Sequence, residues 1–236
     1  MLADYGIVMS KKIIDFKLYL ITDRKLFTNY SSLFTAVEES LKAGIKAVQL
    51  REKDLTTREL LDVAYRMREL TTRYNAKLFI NDRVDIAMCV DADGVHLGQD
   101  SIPVSAVRKV LDNYASRITH HASCFLIGVS THNLDEALTA EREGADFITF
   151  GPIYRTPSKL KYGEPVGIEA LRMVLEKVAI PVFGIGGIKP NNAKEVINAG
   201  AYGVALISGI LSETDVRSAS MKYLTQIKRL YISDTA

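Results

Sequence analysis

Long apolar runs, an excess of charge of one sign and a cysteine framework are all missing from this sequence. Only two of its 236 residues are cysteine, Cys89 and Cys124, too few in so long a chain for a fold stapled by disulfides. Both stand among apolar neighbours and are expected to be reduced thiols of the core. No apolar run reaches the roughly 18–20 residues that span a bilayer. Residues 1–17 hold no long apolar stretch ending in a small-residue cleavage site, so no signal peptide is expected. The 30 basic residues nearly balance the 28 acidic ones, leaving a formal net charge of +2. That balance argues against a nucleic-acid scaffold and against a polybasic membrane binder. The expectation is a soluble, cytoplasmic, single-domain protein, with homo-oligomerisation left open.

What is present is a 47% hydrophobic chain in which short apolar runs alternate with longer amphipathic ones. Strands are expected at Leu18–Asp23, Ala47–Arg51, Lys77–Asn81, Gly94–Gly98, Phe125–Ser130, Phe147–Gly151, Pro181–Gly186 and Gly203–Ser208. They are continuously hydrophobic, as strands covered on both faces of a parallel sheet should be. Helical periodicity fills the gaps, as in residues 31–43, where Leu33, Phe34, Val37 and Leu41 share a face behind Ser31 or Ser32 as N-cap. Gly44, Gly144 and Gly200 each end such a segment just before a strand, where a left-handed residue stops the helix. Eight strands alternating with eight helices predict a single (β/α)8 TIM barrel over residues 18–236 with an N-terminal extension, residues 1–17, outside it. The competing doubly wound sheet would carry a glycine-rich turn after its first strand. This strand instead ends Ile21-Thr22-Asp23-Arg24.

In such barrels the chemistry is built at the carboxyl ends of the strands. The second strand leaves as Gln49-Leu50-Arg51-Glu52-Lys53. If the run stays extended, Gln49, Arg51 and Lys53 share a side and form a cradle for a phosphorylated ligand; the alternative is a solvated strand end with Lys53 paired to Glu52. Asn81-Asp82 ends the third strand, where Asp82 could hold Mg2+ or the pair could cap the next helix. The fourth exit adds a second carboxylate, Asp100, and His96, which fits a structural role better than a catalytic one. Ser130 and His132 end the fifth strand, without an acidic partner for a nucleophilic triad; the alternative for His132 is a cap on the following helix. Thr156, Ser158 and Lys159 lie in the long polar connection 154–164, and long connections in compact domains are often functional. Gly187 and Ser208 sit where barrels often build backbone-amide phosphate sites. Two anion pockets, one beside a metal, imply two phosphorylated ligands brought together.

These segments resemble the bacterial-type thiamine-phosphate synthases, also called thiamine-phosphate pyrophosphorylases. The likeness runs from about Leu18 to Leu211 and rests on Gln49–Lys53, Asn81-Asp82, Gly94–Gln99, Gly128–His132, Gly151–Ile153 through Lys159, Gly184–Ile188 and Ile207-Ser208. It implies a Mg2+-dependent transferase that joins hydroxymethylpyrimidine diphosphate to hydroxyethylthiazole phosphate by a dissociative route, releasing pyrophosphate. It further implies that Gln49, Arg51, Lys53 and Asn81 hold the pyrimidine diphosphate, with Ser130 and Lys159 on the same substrate or its pyrophosphate. Thr156, Ser158, Gly187, Ile207 and Ser208 would receive the thiazole phosphate. Of these, Arg51, Lys53, Ser130 and Lys159 would carry catalysis.

Asp82 and Asp100 are the expected metal ligands. The family usually places its second aspartate where this chain has Ser101, and a shift of one residue in an extended segment turns a side chain away. Sister thiazole tautomerases carry a histidine where this chain has Pro152, which favours the synthase, as does the Arg51–Lys53 cradle. A non-catalytic thiamine-phosphate-binding regulator is the remaining alternative.

Overall fold

Eight parallel strands close on themselves in the computed structural model, which describes residues 14–115, 124–156 and 164–233. The strands are β1 (Leu18–Ile21), β2 (Ala47–Leu50), β3 (Lys77–Asn81), β4 (Gly94–Leu97), β5 (Leu126–Thr131), β6 (Phe147–Phe150), β7 (Val182–Ile185) and β8 (Gly203–Leu206). They pair in chain order, and β1 returns to β8 through Leu18↔Val204 and Leu20↔Leu206. Closure leaves no unpaired sheet edge.

Helices α1 (Tyr30–Lys42), α2 (Thr57–Arg73), α3 (Val84–Cys89), α4 (Val104–Ala115), α5 (Leu134–Arg142), α6 (Gly167–Lys177), α7 (Ala193–Asn198), α8 (Ser208–Leu211) and α9 (Val216–Ser233) connect the strands. The short α8 was not expected, because its four residues are too few to show a helical period. α1 starts earlier than expected: Asn29, not Ser31 or Ser32, is its cap, accepting from the Ser32 N–H at 2.9 Å. α2 opens with a capping box in which Thr56 and Glu59 satisfy each other's backbone N–H. The three helix-ending glycines behave as expected, with φ of 107°, 97° and 107° at Gly44, Gly144 and Gly200.

Alternation along each strand sorts the core into two bodies. Leu18, Leu20, Val48, Leu50, Ile148 and Phe150 face outward and pack under the helices. Tyr19, Ile21, Ala47, Phe79, Phe147 and Phe183 face inward and fill the barrel's lower half. Phe16 joins them, stacked on Phe183 at 5.2 Å and edge-on to Phe147 at 5.8 Å. Residues 14–17 are therefore part of the barrel's packing, not an appendage outside it: Ile14 and Phe16 are buried, and the Lys17 carbonyl accepts from Val204 N–H at 3.0 Å. Residues 1–13 lie outside the described residues. The cysteines also depart from expectation. Cys89 and Cys124 are both exposed, because one ends α3 and the other precedes β5, where apolar sequence neighbours do not enforce burial. No helix among the described residues is long and apolar enough to cross a membrane.

Candidate active site

Above the aromatic layer the inward positions turn polar. Gln49 follows Ala47, Asn81 follows Phe79 and Thr149 follows Phe147, each two residues further along its strand and therefore on the same side. His96 on β4 and Ser130 on β5 complete the ring. Gln49, His96 and Thr149 are buried, so their polar atoms must find partners in one another or in a ligand.

His96 is the hub. Its Nε2 lies 3.0 Å from Ser130 Oγ and 3.4 Å from Thr149 Oγ1, and its Nδ1 lies 3.5 Å from the Tyr19 hydroxyl. Burial pushes its pKa down to about 3, against the opposing pull of Asp82, so the imidazole is neutral at physiological pH. Among the described residues the partner of Nδ1, where a triad would place a carboxylate, is the Tyr19 phenol. His132 is exposed, and both its N–H and its Nδ1 meet Glu136 of α5 at 2.7 and 3.1 Å. That is the helix-start role left open above, with Asn133 as the cap itself.

On the β2–β4 side a chain of contacts runs from strand to strand. Gln49 Nε2 donates to Asn81 Oδ1 at 3.1 Å, Asn81 Nδ2 donates to Asp82 Oδ2 at 3.1 Å, and the Ser101 hydroxyl donates to Asp82 Oδ1. Ser101 Oγ is itself held by the Gly98 N–H at 2.6 Å. Asp82 takes a left-handed φ of 62°, which turns it back toward β4. It does not cap α3, whose N-cap is Arg83, a residue that makes no side-chain capping bond. Among the described residues the buried Gln49 Oε1 has no partner, an acceptor left for a ligand.

Two expectations change here. The residue facing Asp82 is Ser101, while Asp100 is exposed and makes no hydrogen bond to another described residue. The turn after Gly98 swings position 101, not position 100, inward. Nor does the extended run continue to Lys53: β2 ends at Leu50 and residues 53–54 form a turn, which leaves Lys53 exposed and Arg51 half-buried. Glu52 is buried against Thr22 at 2.7 Å, not paired with Lys53. Among the described residues no three acidic, histidine or cysteine side chains converge as a metal site. One carboxylate beside a hydroxyl and an amide is nevertheless a fit for Mg2+, which takes one or two carboxylates and completes its shell with water and phosphate oxygens.

The β5–β8 side opens into a cavity of about 730 Å³, within the roughly 300–1,000 Å³ of small-molecule sites. Ser130, Thr149, Thr156, Gly187, Ile207 and Ser208 all line it, with Arg155, Lys189 and Lys222 adding positive charge. Gly186 and Gly187 have φ of 91° and 66°, and a Cβ at Gly187 would sit 2.7 Å from Tyr154. Only glycine lets the β7 exit approach the β6 loop this closely. That loop is tied down by Ile153 N–H to Ile185 O at 2.8 Å and by the Tyr154 hydroxyl to Glu195 of α7 at 2.6 Å. Ser158 and Lys159 lie outside the described residues. Ser130 is the junction of the two halves, since it lines the cavity and touches His96.

Tyr19, Thr22, Glu52 and Thr149 were not singled out from sequence. Inward alternation from Phe147 would have found Thr149, and the same period places Tyr19 inside. Thr22 and Glu52 lie beyond strand ends, where periodicity carries no signal.

A family profile described as thiamine monophosphate synthase matches residues 18–210. A protein of Geobacter sulfurreducens is 50% identical over 211 residues, covering 89% of this chain and 94% of its own. The thiamine-phosphate synthase of Clostridium novyi is 43% identical over 207 residues, covering 88% and 96%. Among solved structures, thiamine phosphate pyrophosphorylase from Pyrococcus furiosus superposes with a TM-score of 0.79 at 37% identity, over 91% of this chain and 96% of that one.

Proposed function

The chain belongs to the thiamine monophosphate synthase family, and from that premise we propose how its two half-sites divide the work. The enzyme is a transferase of thiamine biosynthesis that joins hydroxymethylpyrimidine diphosphate to hydroxyethylthiazole phosphate, giving thiamine phosphate and pyrophosphate.

The pyrimidine diphosphate lies on the β2–β4 side. The observation that carries this placement is the buried, unpartnered Oε1 of Gln49, an acceptor suited to a ring amine and costly to leave unmade. Asn81 fixes the Gln49 amide from behind. Arg51 and Lys53 supply charge to the diphosphate from the rim, Arg51 in a bidentate geometry that a lysine cannot offer. Mg2+ would be held by Asp82, with Ser101 beside it and the diphosphate completing the set, and it would neutralise negative charge on the leaving group. Asp100 would reach it only through water.

Ser130 donates to the oxygen of the departing pyrophosphate, oriented from behind by neutral His96. Lys159 is assigned to the same group by the family resemblance. The thiazole phosphate occupies the β5–β8 cavity, against Gly187, Ile207, Ser208, Thr156 and Ser158, where the first N–H groups of α8 have no acceptor within their own helix. The carbon–oxygen bond to the diphosphate breaks, the pyrimidine methylene becomes cationic, and the thiazole nitrogen attacks it. The protein supplies proximity and fixed dipoles, with no covalent enzyme intermediate.

The near-balanced charge and the presence of only two cysteines in 236 residues support a cytoplasmic enzyme with small-molecule partners, neither nucleic acid nor membrane among them. The test is a coupling assay with both substrates and a Mg2+ titration. Metal-dependent thiamine phosphate is expected; folded protein that forms none, or forms it equally well in chelator, contradicts the proposal.

A further inference from the structure

Glu52 is a buried carboxylate with no place in the chemistry above. Its side chain is only 2% exposed, and taking a carboxylate out of water is costly unless hydrogen bonds offset it. Its partners are specific. Glu52 Oε1 accepts from the Thr22 hydroxyl at 2.7 Å, and both its oxygens accept from the Arg24 N–H at 3.2 and 3.1 Å. Thr22 Oγ1 in turn accepts from the Arg51 N–H at 2.9 Å, and the Thr22 N–H donates to Gln49 O at 2.9 Å. The Arg24 guanidinium stays further off, its Nε 3.9 Å from Glu52 and its Nη2 paired with Asp54 at 2.8 Å.

Every near contact of this carboxylate therefore ends on the backbone of the β1 exit or on the one hydroxyl that holds the Arg51 N–H. β2 has already ended at Leu50, so no sheet bond fixes Arg51. Thr22 replaces that missing bond, and Glu52 fixes the Thr22 rotamer by accepting the hydrogen bond that its hydroxyl donates. We propose that Glu52 and Thr22 are positioning residues, a buried clamp between the β1 and β2 exits that sets where the Arg51 guanidinium stands. The proposal rests on the assignment of Arg51 to the diphosphate. Its consequence is kinetic, because a misplacement of about 1 Å at a positioned group can lower turnover by roughly 100-fold.

The experiment compares Thr22→Val, Thr22→Ser, Glu52→Gln, Arg51→Ala and the double variant Arg51→Ala/Glu52→Gln in the full-length enzyme. Thr22→Val and Glu52→Gln should lower kcat by about 10- to 100-fold and leave KM for the thiazole phosphate unchanged, while Thr22→Ser, which keeps the hydroxyl, retains near-normal kcat. In the Arg51→Ala background Glu52→Gln should add less than about a twofold further loss, because coupled residues are not additive. Multiplicative losses in the double variant, or full activity in Thr22→Val and Glu52→Gln, overturn the clamp while leaving Arg51 at the diphosphate. Full activity in Arg51→Ala overturns that assignment and the clamp with it. Should Glu52→Gln not fold, Thr22→Val against Thr22→Ser in both backgrounds makes the same comparison.

Discussion

The Nε2 of His96 lies 3.0 Å from Ser130 Oγ, at the seam between the β2–β4 contacts and the β5–β8 cavity. Because burial holds the His96 pKa near 3, the imidazole does not ionise anywhere in the working pH range. The folded state then binds fewer protons than the unfolded chain between pH 3 and the ordinary histidine value near 6.5. Stability from this group is present above about pH 6.5 and is lost as pH falls, with a slope approaching about 1.4 kcal/mol per pH unit. Urea unfolding at pH 7 and pH 5 should show the loss in the wild type and a shallower one in His96→Gln; equal slopes would remove the neutral histidine from the account.

Arg51 is half-buried at the end of β2, outside the packed core. Arg51→Ala should lower kcat/KM by about 100-fold or more with little change in Tm, and Lys159→Ala should also lose turnover by orders of magnitude. Near-normal rates in either variant would remove that residue from the site.

Asp82 is the one carboxylate of the expected pair that the fold brings beside Ser101, where Mg2+ is proposed to bind. Asp82→Asn should raise the Mg2+ concentration for half-maximal rate by about tenfold or more, equivalent to at least about 1.4 kcal/mol of binding. Ser101→Asp should lower it. A Mg2+ requirement unmoved by both substitutions would contradict the assignment.

Phe16 is 2% exposed and meets four aromatic rings in the barrel interior. Phe16→Ala should destabilise the protein by about 3–5 kcal/mol, measured as a lower urea midpoint with an unchanged slope. A loss below about 1 kcal/mol would mean that residues 14–17 are dispensable packing.

The barrel was legible because eight continuous apolar runs and three helix-ending glycines report directly on strands buried on both faces. Gln49, Asn81, Asp82, Ser130, Gly187 and Ser208 were legible because strand ends are where polar residues have no packing reason to stand. What the sequence hid lies where a period fails. An alternation extended past Leu50 misplaces Lys53, because the chain turns there, and the same rule fails at position 101 across a turn that reverses it. His96 reads as structural from its place inside a strand, and it is buried and hydrogen-bonded there, with Ser130 as the partner that the sequence does not name. Glu52 and Thr22 pair across 30 residues, a contact that only barrel closure creates. Phe16 stands ahead of the first strand, and nothing local says that the chain turns under the barrel.

The most direct test of two separate anion sites is a crystal structure of the enzyme with Mg2+, pyrophosphate and thiamine phosphate. The account predicts pyrophosphate between Arg51, Ser130 and a metal on Asp82, with the phosphate of thiamine phosphate against Gly187 and Ser208. Both anions in the β5–β8 cavity, with nothing bound at Asp82, would contradict it.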